Sequence, residues 1–274
     1  MRIVCLTGSG PQHRFFLGRI HAAAPEDLRL AVVQARERVG PRGLWRGLRV
    51  ALAARSLALG FGSPPLSGPR RVRAAARVFG PTWKVLPRDL PVLVTADVNA
   101  REVVERVNAV GPDLVLVHGT SLIRRPLMSC GALMLNLHWG LSPWHRGTRC
   151  TEWALLRRDF ENIGVTIHRL TPRIDGGAIV AQERVALEAE DDVETINMRL
   201  TQAGVALVEA LLRRLREGGE LVFHEQDRKA GELHTERAWG KAEKRALRRM
   251  LRRGLGVHLR DGALRAPVPI VRLP

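Results

Sequence analysis

Asn136 and His138 are the residues whose types and spacing most clearly suggest chemistry. They lie two positions apart, directly after an apolar run at 131–135 that is typical of a strand buried on both faces. Positions i and i+2 of a strand point to the same face, and open α/β sheets bind ligands where their strands end. An amide and an imidazole aimed at one point can stabilise an oxyanion and move a proton. A single carboxylate, Asp175, follows later in the sequence Ile-Asp-Gly-Gly.

The pattern Asn-x-His is weak by itself, because it more often marks a turn cap and a satisfied core histidine. The surrounding sequence makes the stronger case. Its motifs are, in order, Asn136-Leu-His138, Leu141-Ser-Pro143, Arg146-Gly147, Trp153-Ala-Leu-Leu156, Gly164-Val-Thr-Ile-His168 and Ile174-Asp-Gly-Gly-Ala-Ile-Val180. Together they resemble the folate-dependent formyltransferase family, which includes glycinamide ribonucleotide, methionyl-tRNA and sugar-nucleotide N-formyltransferases. The resemblance covers residues 92–215 well and residues 1–24 loosely.

The resemblance implies that the donor is 10-formyltetrahydrofolate and that Asn136, His138 and Asp175 form the catalytic set. Asn136 and a protonated His138 would donate to the anionic oxygen formed when an amine attacks the formyl carbon. Asp175 would raise the imidazolium population of His138 and help to remove the amine's proton through a bound water. This scheme needs no metal ion.

Two loops are expected to hold the folate by the same resemblance. The loop after the strand at 113–117 would line the slot for the pterin ring, and the segment before Asp175 would form the other wall. The implied contacts are Gly119, Ser121, Leu122 and Ile123 in the first loop, and Thr171, Arg173 and Ile174 in the second. From the local sequence alone, the first loop is equally compatible with an ordinary turn between a strand and a helix.

The acceptor amine is less well defined. The sequence from His138 to Pro143 departs from the His-Pro-Ser-Leu-Leu-Pro form usual in the purine and tRNA enzymes, so we favour an amino sugar, a nucleotide-linked amine or a phosphorylated metabolite. Trp144 and Arg146 are candidate contacts to it. A glycine turn after the first strand exposes backbone amides that could bind its phosphate, although it could also be a simple turn; its residues are Gly8, Gly10, His13 and Arg14.

Other functions stay open at the level of sequence. The same three residues could pass the formyl group to water, as in formyltetrahydrofolate deformylases. The acceptor could instead be glycinamide ribonucleotide or methionyl-tRNA, or the chain could be a basic binding module without activity. The tail after residue 220 is short for the C-terminal domain that helps methionyl-tRNA formyltransferases to hold tRNA.

The formal net charge of +17 would ordinarily suggest a nucleic acid or an anionic membrane. However, only four of the 44 basic residues are lysine, and this arginine bias weakens a functional interpretation of the charge. We therefore expect a small-molecule acceptor and no nucleic acid. Three widely spaced cysteines and the lack of a long apolar segment favour a cytoplasmic protein without a membrane span, and a homodimer is compatible with the sequence.

Alternating strand and helix signals predict a Rossmann-like α/β fold with a predominantly parallel sheet and helices on both faces. Asn99 and Glu102 predict a capping box for a helix, and Asp191 or Asp192 predicts the start of a long one. We divide the chain into a catalytic domain at 1–220 and a short basic extension at 221–274. A basic helical insertion is expected at about 36–80, in which a helix at 42–57 could pack with its arginines in solvent or touch a membrane surface or a partner.

Overall fold

The computed structural model describes residues 1–35, 68–81, 83, 86–227 and 229–273 of the 274-residue chain. These residues form two compact units, at 1–137 and 138–274. The predicted helix at 42–57 lies outside the described residues. The predicted boundary near residue 220 stays a prediction.

The first unit is built on parallel strands in the spatial order β3-β2-β1-β4-β5. Their bounds are β1 Ile3–Gly8, β2 Leu28–Gln34, β3 Val92–Thr95, β4 Leu114–His118 and β5 Leu133–Trp139, and β5 carries the chain into the second unit. β1 and β4 are buried along their whole length, which explains their nearly continuous apolar sequences. In the register of β4 with β5, Val117 lies opposite Asn136.

The helices of the first unit are α1 Pro11–Ala23, α2 Pro69–Phe79, α3 Arg101–Val110 and α4 Arg125–Met128. α1 buries Phe16, Leu17 and Ile20 almost completely. It meets α2 through Phe15 and Phe79, whose rings stack at 3.9 Å between centroids. Burial of each such side chain contributes about 1.5–3 kcal/mol.

The predicted capping box of α3 is wrong. Ala100 is the N-cap residue, and no side chain caps the helix. The side chain of Asn99 instead donates to the carbonyl oxygen of Leu122 at 2.9 Å and accepts from the N–H of Arg124 at 2.7 Å. An Asn side chain can use its hydrogen-bonding groups either to cap a helix or to connect two loops. The local sequence pattern is the same in both cases, so it did not distinguish them.

The second unit contains an antiparallel pair, β7 Gly164–Arg169 with β8 Ile179–Arg184, and a parallel pair, β6 His145–Gly147 with β9 Glu232–His234. Its helices are α5 Cys150–Leu156, α6 Val193–Arg216, α7 Lys241–Arg252 and α8 Leu255–Arg260, with short 3-10 turns at Phe160–Asn162 and Glu236–Ala238. The β6–β9 pair joins the loop after His138 to the C-terminal extension.

α6 packs on β7 and β8 and organises the core of this unit. Its apolar positions Leu200, Val208 and Leu211 are at most 1% exposed. Asp192 caps the helix by accepting from the N–H of Thr195 at 2.9 Å, as the sequence predicted for this position. The mostly parallel sheet and its helices confirm the predicted α/β class. No helix in the described part of the chain is long and apolar enough to cross a membrane.

Candidate active site

β5 positions both residues of the Asn-x-His pattern. Asn136 and His138 alternate along this strand, which continues to Trp139 instead of ending at the apolar run. Asn136 is partly exposed, whereas His138 is 8% exposed. Their alternation is what the predicted shared face requires.

The His138 ring has an acceptor near each of its nitrogens. Its Nδ1 lies 3.4 Å from Oδ2 of Asp175, and its Nε2 lies 3.0 Å from the carbonyl oxygen of His145. A carbonyl oxygen only accepts, so the second contact requires a proton on Nε2. Gly140 makes room for this arrangement, because an added Cβ there would lie 2.5 Å from Nε2 of His138. An imidazolium at His138 therefore has a partner for each N–H.

Asp175 connects His138 to other parts of the site. Its Oδ1 lies 3.3 Å from Nε2 of His168, and its Oδ2 accepts from the N–H of Gly147 at 2.8 Å. The residue adopts a left-handed backbone with φ of 44°, and its carbonyl oxygen accepts from Nε2 of Gln226 at 3.1 Å. The carboxylate thus links strands β6 and β7 to the loop that carries it.

The electrostatics of the pair differ in part from the sequence expectation. Burial lowers the pKa of His138 below its ordinary value, although the Asp175 carboxylate acts in the opposite direction. Burial also opposes ionisation of Asp175, but the charge of His138 and the hydrogen bond from His168 outweigh it and hold the pKa of Asp175 well below its ordinary value. The expected gain of imidazolium from Asp175 is therefore outweighed by burial, and the carboxylate stays ionised.

The first predicted folate loop is braced from inside the first unit. Ser121 donates its N–H to Oε1 of Gln34 at 2.8 Å, and its hydroxyl accepts from Nε2 of Gln34 at 3.0 Å. Gly119 has φ of 72° and leaves no space for a Cβ beside the ring of His13. Leu122 is 67% exposed, and Ile123 is partly exposed. The loop therefore turns its polar groups inward and presents apolar surface.

The second predicted folate loop precedes Asp175 in the other unit. Thr171 and Arg173 close it on itself, since the hydroxyl of Thr171 donates to the carbonyl oxygen of Arg173 at 3.2 Å. Ile174 is 41% exposed, so this loop also presents apolar surface. Gly177 allows the turn after Asp175, because a Cβ there would overlap the carbonyl oxygen of Arg169.

The glycine turn is occupied by a side chain of the protein. Nδ1 of His13 accepts from the N–H of Gly10 at 3.0 Å, so this amide already has a partner. An added Cβ at Gly8 would overlap the His13 ring. Arg14 is 2% exposed, and burial lowers its pKa to about 10. Phosphate binding by Gly8, Gly10, His13 and Arg14 stays a prediction.

The two candidate acceptor contacts lie on the loop after His138. Trp144 is partly exposed and accepts, through its carbonyl oxygen, from the N–H of Glu232 at 3.0 Å. Arg146 is 9% exposed and donates from Nε to the carbonyl oxygen of Pro143 at 3.2 Å. The C-terminal extension therefore fixes the backbone of this loop. Contact of either side chain with an acceptor stays a prediction.

Sequence reasoning missed a second imidazole and carboxylate pair beside the site. Nε2 of His145 lies 2.8 Å from Oδ2 of Asp159, and Nδ1 of His145 lies 3.2 Å from Nε2 of His234. All three side chains are buried. Burial and the neighbouring His145 lower the pKa of His234 to about 4. The sequence carried no local signal for this cluster, because its members are 14 and 89 residues apart.

His168 was also missed as a neighbour of Asp175, although a signal was present. It alternates with Thr166 on β7, and both are at most 1% exposed in a strand whose other buried residues are Gly164, Val165 and Ile167. Two buried polar residues on one face of a strand indicate a polar site. Within the described residues, no group of three or more His, Cys, Asp or Glu side chains is arranged to hold a metal ion.

Comparisons with solved structures support the fold. A sugar N-formyltransferase from Shewanella sp FDAARGOS_354 is 16% identical with a TM-score of 0.57, covering 90% of this chain and 86% of that chain. Glycinamide ribonucleotide transformylase 1 from Symbiobacterium toebii is 18% identical with a TM-score of 0.52, covering 83% and 95%. A 4-N formyltransferase from Francisella tularensis is 14% identical with a TM-score of 0.52, covering 87% and 78%.

A family model described as formyl transferase matches residues 70–212, which is more than half of the chain. The matched residues include Asn136, His138 and Asp175 together with their neighbours His145, Gly147 and His168. The sequence resemblance and the α/β fold agree with this match. The chain therefore belongs to the formyl transferase family.

Proposed function

We propose that the protein transfers a formyl group from 10-formyltetrahydrofolate to a primary amine of a small acceptor. The observation that carries the proposal is the geometry of His138, which lies 3.4 Å from an ionised Asp175 and 3.0 Å from a backbone carbonyl oxygen. Both contacts stabilise an imidazolium in a buried site. Such a ring can accept a proton during a reaction and release it again.

Each of the two predicted folate loops, taken by itself, presents apolar surface that suits a flat, partly apolar ligand. Leu122 and Ile174 each present exposed apolar surface on a loop whose polar groups are satisfied internally. Leu122, Ile123 and Ile174 would hold the ring, while Gly119, Ser121, Thr171 and Arg173 would shape the loops. When bound, the folate supplies a formyl group on N10, which moves to the amine while one proton moves the other way.

Within this scheme the chain's own residues have separate tasks. The Asn136 amide donates to the negative charge that develops on the formyl oxygen, and removal of one such donor typically costs about 10²- to 10³-fold in kcat. His138 is largely neutral because burial lowers its pKa, and it takes a proton from the attacking amine at Nδ1, since Nε2 already carries the proton donated to the carbonyl oxygen of His145. Asp175 provides the counter-charge, since its low pKa makes it a poor base.

A small acceptor is supported by the loop after His138. This loop carries Trp144 and Arg146 and is fixed by the extension through β6 and β9. An indole face and a guanidinium are suited to a sugar or nucleotide ring and to a phosphate, respectively. Both a sugar N-formyltransferase and a glycinamide ribonucleotide transformylase share the fold, so the choice of an amino sugar or nucleotide-linked amine rests on this loop.

The test is to mix the purified protein with 10-formyltetrahydrofolate, first alone and then with a pool of primary amines that includes amino-sugar nucleotides. Tetrahydrofolate release is followed by absorbance, and acceptors are identified by the mass gain of a formyl group. The proposal expects release that depends on one amine and a matching mass gain. Release without any amine would instead indicate hydrolysis, and the absence of folate binding would indicate a binding module without activity.

A further inference from the structure

The last residues of the chain form a strap, which we define as residues 262–272. They carry no helix or strand, and none of them is buried. Hydrogen bonds therefore hold the strap more than apolar packing does. At its beginning, the N–H of Leu264 donates to the carbonyl oxygen of Arg158 at 2.9 Å, and the carbonyl oxygen of Gly262 accepts from the Arg158 guanidinium at 2.9 Å.

In its middle the strap is attached to Asn162. The side-chain amide of Asn162 donates to the carbonyl oxygen of Ala266 at 3.0 Å, and its oxygen accepts from the N–H of Val268 at 2.8 Å. The same amide group also donates to Oδ1 of Asp159 at 2.6 Å. Asp159 is the buried partner of His145, whose carbonyl oxygen faces Nε2 of His138. Three side chains, those of Asn162, Asp159 and His145, thus connect the middle of the strap to the carbonyl group that contacts His138.

At its end the strap is attached to Gln182, which is 2% exposed. The N–H of Gln182 donates to the carbonyl oxygen of Val271 at 2.7 Å, and its side-chain oxygen accepts from the N–H of Val271 at 3.2 Å. The two residues therefore hold each other by a pair of hydrogen bonds. The nitrogen of the same side-chain amide, Nε2, contacts the loop after His138.

That loop is held by a buried group of polar atoms. Nε2 of Gln182 donates to the carbonyl oxygen of Ser142 at 2.7 Å and to Oγ1 of Thr166 at 2.9 Å. Oγ1 of Thr166 donates in turn to the carbonyl oxygen of Gly140 at 2.7 Å and accepts from the N–H of Ser142 at 3.0 Å. Gly140 is the residue whose Cα lies against the His138 ring. Both attachments of the strap therefore lead to the surroundings of one catalytic imidazole.

We propose that the strap, through Gln182 and Asn162, positions His138 and so sets the turnover of the enzyme. Gln182 and Asn162 are positioning residues, because they act on His138 through the loop and through His145. The inference rests on the proposed function for its effect on turnover. Its structural part, that the attachment of the strap fixes the His138 ring, is independent of the reaction.

The most specific test uses three substitutions. Gln182→Met keeps the size of the side chain and removes its hydrogen bonds to Ser142, Thr166 and Val271. Val271→Pro removes the N–H that donates to Gln182, and its ring also restricts the backbone at residue 271. Val271→Ala is the matched control, because it shortens the same side chain but keeps that N–H.

We expect Gln182→Met to lower kcat by about 10- to 100-fold, since a displacement of about 1 Å in an active site can cost 10²-fold. Val271→Pro should lower kcat in the same direction, and Val271→Ala should match the unmodified protein. The Kd for the folate should stay within about twofold, because the folate loops are not altered. The imidazole N–H resonance of His138, assigned with ¹⁵N-labelled histidine, should shift in the first two variants only.

Variants that fold, keep the kcat of the unmodified protein and leave the His138 resonance in place would overturn the inference. So would a kcat that falls with Tm while the His138 resonance stays unchanged, because that result indicates general destabilisation. If Gln182→Met does not fold, the comparison of Val271→Pro with Val271→Ala decides. If the protein proves to have no formyl transfer activity, the resonance still tests the strap, so the two failures are distinguishable.

Discussion

Asp175 contacts several neighbours through one carboxylate group. It lies near two imidazoles, of His138 and His168, and accepts from the N–H of Gly147. These groups hold its pKa well below its ordinary value despite burial. A carboxylate that remains ionised through the accessible pH range offers a constant charge. At His138, that constant charge favours each transient protonation of the ring.

His234 gives a prediction for stability against pH. Burial and the charges of His145 and Arg157 lower its pKa to about 4, whereas an unfolded histidine titrates near 6.5. The folded state therefore binds this proton less readily than the unfolded state does. The stability contributed by neutral His234 is present above about pH 6.5 and is lost as pH falls towards 4. At about 1.4 kcal/mol per pKa unit, the loss is at most about 3.5 kcal/mol.

The measurement is the free energy of unfolding from denaturant titrations between pH 7 and pH 4, for the unmodified protein and for His234→Gln. We expect the fall of this free energy to be shallower in His234→Gln, even if that variant is less stable at pH 7. His258→Gln is the control, since it makes the same exchange at a partly exposed imidazole outside the cluster of His145, Asp159 and His234. Equal slopes in all three proteins would contradict the assignment.

Among the elements, the pairing of β6 with β9 places the C-terminal extension against the loop that follows His138. Gly147 is central to this pairing: it has φ of 92°, and a Cβ there would overlap the carbonyl oxygen of His234. Its N–H also donates to Asp175. The conformation of Gly147 therefore determines both the pairing of β6 with β9 and one hydrogen bond to the Asp175 carboxylate.

Gly147→Ala should destabilise the protein and lower kcat together. Gly131→Ala is the matched control, because Gly131 also has a positive φ, of 79°, but has open space around it. In the control, only the strain of placing alanine in a left-handed backbone should lower the free energy of unfolding, by about 1–2 kcal/mol. In Gly147→Ala the free energy of unfolding should fall by more than this amount, and kcat should fall at least about 10-fold. A loss equal to that of the control, with unchanged kcat, would show that the β6–β9 contact does not shape the site.

The loop after β4 gives a prediction for folate binding. Leu122 is 67% exposed on a loop braced by Asn99 and Gln34, so a substitution there should leave the fold intact. Leu122→Arg should raise the Kd for the folate by about 10-fold or more, because loss of a buried leucine contact costs about 1.5–3 kcal/mol. Val222→Arg, at a side chain that is 46% exposed, is the control. The Kd is measured by fluorescence titration. An equal Kd in both variants would show that Leu122 does not contact the folate.

At the scale of the whole molecule, the sequence predicted most of the elements because their signals are local. The buried strands β1 and β4 are apolar runs, and Asp192 caps α6 through a residue three positions away. Local patterns failed where the hydrogen-bonding groups of a side chain could find partners in two different ways. Asn99 is the example, since it ties loops together instead of capping α3.

The support around the candidate site could not be predicted, because it depends on contacts between distant residues. Gln182 reaches Ser142 and Val271, which are 40 and 89 residues away. Asp159 meets His145 only after the chain has folded, and no periodic pattern specifies such a pair. The catalytic set could be proposed from sequence because its residue types form a family pattern. The residues that hold this set in place can be identified only in the folded structure.

We assign the proton transfer of the proposed formyl transfer to His138, supported by Asp175. This assignment is tested most directly by single-turnover transfer from 10-formyltetrahydrofolate to the identified amine, measured alongside the Kd for the folate. His138→Ala and Asp175→Asn should each slow transfer by about 10²- to 10⁴-fold while the Kd stays within a few fold, because both residues act on the transition state. Transfer at the unmodified rate in His138→Ala, or an equal loss of binding and rate in both variants, would contradict the account.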